Sequence, residues 1–255
     1  MGLWDWFVDL LTNILAGIAG FCGDWGLAVI ILTVIIRLLV MPLMTKSTAS
    51  SARMQALQPK MQEIRDKYSD DPARMQEEMQ KFYSENKFNP LGGCLPVILQ
   101  MPVFFALFTV ARNIGSDAHF YNIIPSLSQS AAGALSSDGI GGALIYIVLV
   151  VAFSILTFLP MVMNLKNTPS EQRGQTLTMG VVMAVMMLWV GWSLPAAVNL
   201  YYDTSAIWQV VQQKVVTQKV MDKVKAETEA KLAQQDVQVE VVRKEHKPRP
   251  KKKSK

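Results

Sequence analysis

Positive charge is missing from the first 36 residues of this 255-residue chain, and again between Arg112 and Lys166. Charge of either sign is missing over the 27 residues Gly139–Leu165, and in the 40 residues Gly174–Gln213 the only charge is Asp203. Soluble helical bundles carry polar faces that interleave charge more often, so these runs read as membrane spans. Cysteine is scarce too. Cys22 and Cys94 are too few for a disulfide framework and have no metal spacing. Cys22 follows Phe21, where a lipoprotein cleavage site needs a small residue, and the N-terminus has no basic signal-peptide region. The two histidines, His119 and His246, lie far apart and form no metal cluster. With no glycine-rich phosphate loop, no HExxH and no nucleophile triad, the sequence predicts neither an enzyme nor a cofactor.

The charge that is present comes in clusters. Thirteen of the 25 Lys and Arg residues lie between Lys214 and Lys255, and eight more between Lys46 and Lys87. Basic clusters beside apolar runs set topology through the positive-inside rule. The apolar runs predict five spans, at about 25–44, 91–110, 143–163, 176–190 and 196–213. The 46–87 segment, the short basic turn at Lys166–Arg173 and the tail 214–255 then face the cytoplasm, and the N-terminus and the 111–142 loop face outward. This makes an all-α polytopic membrane protein.

Residues 1–22 carry Trp4, Trp6 and Phe7 with Asp5 and Asp9, the composition of an interfacial amphipathic helix, with an extra span as the alternative. In the 46–87 segment, Met54, Leu57, Met61, Ile64 and Tyr68 share one helical face. Ser69–Pro72 breaks that pattern, with Asp71 suited to an N-cap and Pro72 to the first helical position. The stripe resumes at Met75, Met79, Phe82 and Tyr83, which predicts a helical hairpin. Its methionines form either an adaptable surface for apolar peptides or the seam on which the hairpin closes. "NPLGG", Asn89–Gly93, opens the second span, in which Pro96 and Pro102 are expected to bend the helix. "GWSLP", Gly191–Pro195, makes a tight reversal before the last span, and the Pro-interrupted basic end of the tail is expected to be disordered.

Arg37 is the sharpest feature. A charge inside a span costs about 2.5–3.5 kcal/mol on insertion scales. Arg37 lies nine residues before Lys46, about 13 Å from the cytoplasmic end at a rise of 1.5 Å per residue. Either the side chain snorkels to the headgroups or it faces water or a buried acid. Asp203 lies eleven residues before Lys214, about 16 Å from the same side. The two charges are therefore expected to pair or to share a hydrated cavity, the alternative being that Asp203 is solvated nearer the outer surface. Thr33 is one turn from Arg37 on the same face. Gln100 lies mid-span, and Tyr201 and Tyr202 adjoin Asp203. Singly these are ordinary interhelical hydrogen-bonding groups; together they line a polar pocket open to the cytoplasm.

"DWGLAVIILTVIIRLLVMPLMTKS" (Asp24–Ser47), "MQALQPKMQEIRDKY" (Met54–Tyr68) and "NPLGGCLPVILQMPVFFALF" (Asn89–Phe108) resemble the YidC family of membrane protein insertases, as does "LYY" (Leu200–Tyr202). The resemblance covers roughly residues 24–213. It implies a five-helix core with a hydrophilic groove open to cytoplasm and lipid. The family's groove arginine falls on Arg37, its substrate-contacting threonine on Thr33, its last-span aromatic on Tyr202 and its "QMP" glutamine on Gln100. The implied partners are nascent membrane proteins and lipid. The ribosome or targeting machinery would bind through the hairpin and basic tail, and a Sec-type channel is kept open as a further partner. The large outer domain and extra first helix of some relatives have no counterpart in this sequence, and Asp203 matches no family position. An assembly scaffold and a small-solute or proton-coupled transporter are the rival readings. Five spans without a visible repeat weigh against the transporter.

Overall fold

The computed structural model describes residues 2–86, 95–115, 117–165, 168 and 170–245. The expected opening of the second span at Asn89–Gly93, together with Cys94, Lys166, His246 and the basic end of the tail, lies outside them. Eight α-helices follow in order: α1 (Leu3–Cys22), α2 (Trp25–Lys67), α3 (Pro72–Glu85), α4 (Leu95–Asn113), α5 (Ala131–Asn164), α6 (Ser170–Gly191), α7 (Ala196–Gln212) and α8 (Gln218–Glu245), with a π-helical turn, Gln213–Thr217, before α8. They form two compact units. One comprises Met1–Met44 with Cys94–Val216, the other Thr45–Gly93 with Thr217–Lys255.

In the first unit, α5 packs against α6 and α7, α4 against α7, and α1 against α4. No comparably close seam involves α2. The α5–α6 seam is tight: Ser154 Oγ donates to the Ala184 carbonyl at 2.7 Å, and a Cβ at Gly180 would meet Phe158 ring carbons at 3.0–3.1 Å. Helices Trp25–Lys67, Ala131–Asn164, Arg173–Gly191 and Leu3–Cys22 are each long and apolar enough to cross a membrane, and Ile98–Asn113 is a shorter apolar helix. The Val8, Leu11, Leu15 and Ala19 stripe of α1 is buried, and α1 packs on α4.

The loop expected over 111–142 is shorter than its sequence indicated. Ser130 caps α5, its Oγ accepting the Gly133 N–H at 3.1 Å, so the chain is helical from Ala131. The helix then changes direction at Gly139, whose φ of 68° and ψ of −167° only glycine adopts readily. The remaining loop ties the N-terminal ends of α2 and α7 together. Gly26 N donates to the His119 carbonyl at 3.1 Å, Ala197 N to Leu127 at 2.9 Å and Ala196 N to Gln129 at 2.8 Å. Buried Asp24 closes the knot, Oδ1 accepting from Leu27 N at 2.7 Å and Oδ2 from Tyr121 N at 2.5 Å. Ala118, Ile124 and Leu127 are buried beneath it in the core.

In the second unit, Asp71 caps α3 by accepting the Arg74 N–H at 3.1 Å, with Pro72 at the first helical position. Leu57 and Met61 of α2 are buried against Met79, Phe82 and Tyr83 of α3 and Leu232 of α8. Of the hairpin's methionines, Met61 and Met79 thus lie in the seam on which it closes, whereas Met54 stays exposed. Burying such side chains contributes about 1.5–3 kcal/mol each.

Candidate functional site

The core of the first unit lies at the end tied by the 117–130 loop. On α2 the buried residues are Ala28, Val29, Leu32 and Thr33; on α4 they are Ala106, Leu107, Val110 and Ala111; on α7 they run from Ala196 to Ala206. Towards the other end burial stops. Val34–Met44 of α2, Ile98–Phe105 of α4 and Ile207–Gln212 of α7 contain no buried residue. On all three helices, then, burial is concentrated near the loop and gives way beyond it.

The polar residues singled out in the sequence sit where the packing gives way. Thr33 is the last buried residue of the part of α2 that belongs to the first unit, at 1% exposure, its hydroxyl donating to the Val29 carbonyl one turn back at 2.6 Å. Arg37, one turn further on, is half-buried. Among the described residues no hydrogen bond or ion pair engages its guanidinium, and the phenols that act on it electrostatically are Tyr201 and Tyr202. Gln100 Nε2 donates to the Tyr201 hydroxyl at 2.7 Å, and the Tyr202 hydroxyl lies within electrostatic range of Arg37. The Tyr202 ring is wedged among Phe153 (centroids 4.9 Å apart), Tyr201 (5.2 Å) and Phe104 (5.9 Å). Arg37, Gln100, Tyr201 and Tyr202 therefore converge from three helices, with Thr33 at their sealed side. Phe104 and Phe153 support the site, and nothing in their local sequence distinguished them from lipid-facing aromatics.

Asp203 does not join this group. It is 6% exposed, and neither carboxylate oxygen has a hydrogen-bond partner among the described residues. No ion pair links it to Arg37, and the expected pairing is corrected. Depth is not what separates them, since Tyr201 and Tyr202, just before Asp203 in α7, both lie near Arg37; successive residues of a helix are about 100° apart, so neighbours in sequence face different partners. Asp203 also occupies the face of α7 that carries Asn199, whose Nδ2 donates to the Gly191 carbonyl at 3.1 Å.

The arrangement brings one cationic side chain together with an amide and two phenols among otherwise apolar helices. The profile of the family described as 60Kd inner membrane protein matches residues 17–224. A membrane protein insertase YidC of Haemophilus influenzae (strain PittEE) is 34% identical over 216 residues, 84% of this chain. The chain belongs to the YidC family. A YidC insertase of Aquifex aeolicus is likewise 34% identical, over 195 residues or 76% of the chain. A solved structure, an active YidC insertase with its first transmembrane domain resolved, superimposes with a TM-score of 0.61 at 25% identity over 84% of this chain. The chain spans 37% of the length of the Haemophilus protein and 47% of that solved chain. YidC membership and the apolar helices make it a multi-pass inner-membrane protein.

Proposed function

We propose that this chain is a membrane protein insertase and chaperone whose groove, with Arg37 at its centre, carries polar segments of nascent membrane proteins past the hydrocarbon layer. The observation that carries this reading is the half-buried arginine with no hydrogen bond or ion pair among the described residues, set where burial on three helices gives way. A client must move a short, often acidic, polar tail across an apolar barrier. A hydrated groove shortens that barrier, and a cation in a medium of low dielectric attracts the tail more strongly than it would in water. The client's own apolar helix then partitions into lipid, with burial worth about 25 cal/mol per Å². Thr33, Gln100 and Tyr202 line the route, and that step requires neither ATP nor a cofactor.

The basic hairpin 46–87 and tail 214–255 face the cytoplasm in this reading, with the N-terminus outside. They receive the ribosome or targeting machinery, to which thirteen tail cations offer phosphate contacts. The names of the curated relatives support the insertase reading. Its test is reconstitution: purified protein in lipid vesicles is expected to render a single-span client with an acidic outward tail protease-resistant, whereas empty vesicles do not. Equal protection in both would refute an insertase and favour a scaffold that only holds other membrane proteins.

A further inference from the structure

Five buried side-chain N and O atoms have no partner among the described residues, and four of them fall within seven residues of α7: Asn199 Oδ1, both oxygens of Asp203, and Ser205 Oγ. Asn199 and Asp203 are four residues apart, so their side chains are neighbours on one helix face. Ser205 is two residues further on, rotated by about 200°, and faces elsewhere. The Asn199 amide is fixed in orientation, because its Nδ2 is committed to the Gly191 carbonyl. Its Oδ1 is left without a donor at 2% exposure, and one turn on, at 6% exposure, both oxygens of Asp203 are without one as well. Two such groups without a donor between them are costly in a bundle that excludes water.

No neighbouring side chain supplies the donor. Within α5 the only charged residue is Asp138, which is exposed, and the only other titratable group is Tyr146, whose hydroxyl bonds to Ser126 and Gln129. Within α4 the only charged residue is Arg112, which lies over the Phe108 ring at 4.3 Å. Tyr201 of α7 accepts from Gln100, Tyr202 is wedged among aromatic rings, and Arg37 of α2 makes no ion pair with Asp203.

We propose that Asp203 is a proton-binding site of the bundle: its carboxyl holds a proton and donates it to Oδ1 of Asn199. One proton satisfies both partnerless groups. The neutral acid joins one turn of α7 to the next at the level where α7 packs on α5. It also leaves the charge of Arg37 uncompensated within the bundle. That last consequence rests on the insertase reading; the proton itself does not.

Infrared spectroscopy of the reconstituted protein reads the proton directly. The wild-type spectrum minus that of Asp203→Asn, at neutral pH, is expected to contain the C=O stretch of a neutral carboxylic acid, absent from the variant. Should Asp203→Asn fail to fold, wild-type protein carrying 13C at its aspartate carboxyls gives the same answer. Asp24 already accepts two backbone N–H bonds and the other aspartates with described side chains are exposed, so a neutral-acid band that shifts with the label is assigned to Asp203. Carboxylate bands alone at neutral pH, in either experiment, would overturn the proposal and point to a bound cation instead.

Discussion

Gly26→Ala is expected to be among the most destabilising single-methyl additions in the chain. A Cβ at position 26 would lie 2.3 Å from the Cβ and 2.4 Å from the Cγ of Phe120. The Phe120 Cβ is fixed to its backbone and cannot rotate away, so α2 and the loop must separate by roughly an ångström to reach ordinary contact. That separation strains the hydrogen bond from Gly26 N to the His119 carbonyl, and with it the knot that pins α2. Overpacking costs about 1–3 kcal/mol, and a weakened backbone hydrogen bond about 0.5–1.5 kcal/mol more. Gly20→Ala is the control, since nothing lies within 4 Å of its added methyl. Thermal denaturation in detergent should show a clear fall in midpoint for Gly26→Ala and none for Gly20→Ala. Equal midpoints would mean that the loop does not clamp α2.

Arg37→Ala should leave the fold intact and lower client insertion. The turns of α2 around Arg37 contain no buried residue, so truncation opens no packed core. What is lost is a charge-assisted contact with the client's acidic tail, worth about 1.5–3 kcal/mol. At tenfold per 1.4 kcal/mol this is about a tenfold to hundredfold drop in the rate of insertion. Arg37→Lys keeps the charge but not the planar fork, and should fall between the two. A client whose tail carries no acid should be much less sensitive. If Arg37→Ala slowed acidic and neutral clients alike, the arginine would be serving the structure rather than the substrate.

The parts of the fold governed by local periodicity were legible in the sequence. The long apolar runs, the Asp71–Pro72 helix start and the Met61–Met79 face of the hairpin all depend on residues a few positions apart. Thr33, Arg37, Gln100 and Tyr202 stood out because polar groups are conspicuous against an apolar background. What could not be read was tertiary. Gly26 looks like any other helical glycine until Phe120, almost a hundred residues later, is seen against it. The wedge of Phe104 and Phe153 about Tyr202 has the same long-range origin. The expected Arg37–Asp203 pairing failed because depth along a span does not fix which face of the helix a side chain occupies. The short helix before Gly139 was hidden by its Gly- and Ser-rich composition, which reads as loop until the cap at Ser130 is known.

The most direct test of the groove as the client's route is site-specific photo-crosslinking from within the bundle. A photoreactive residue placed at Thr33, Gln100 or Tyr202 is compared with one at Val182 or Trp189, exposed positions on the outer face of α6, while a stalled nascent chain presents its polar tail. The account predicts crosslinks to the tail from the three groove positions and none from α6. Crosslinks from α6 with none from the groove would contradict it, because the client would then enter the lipid without passing Arg37.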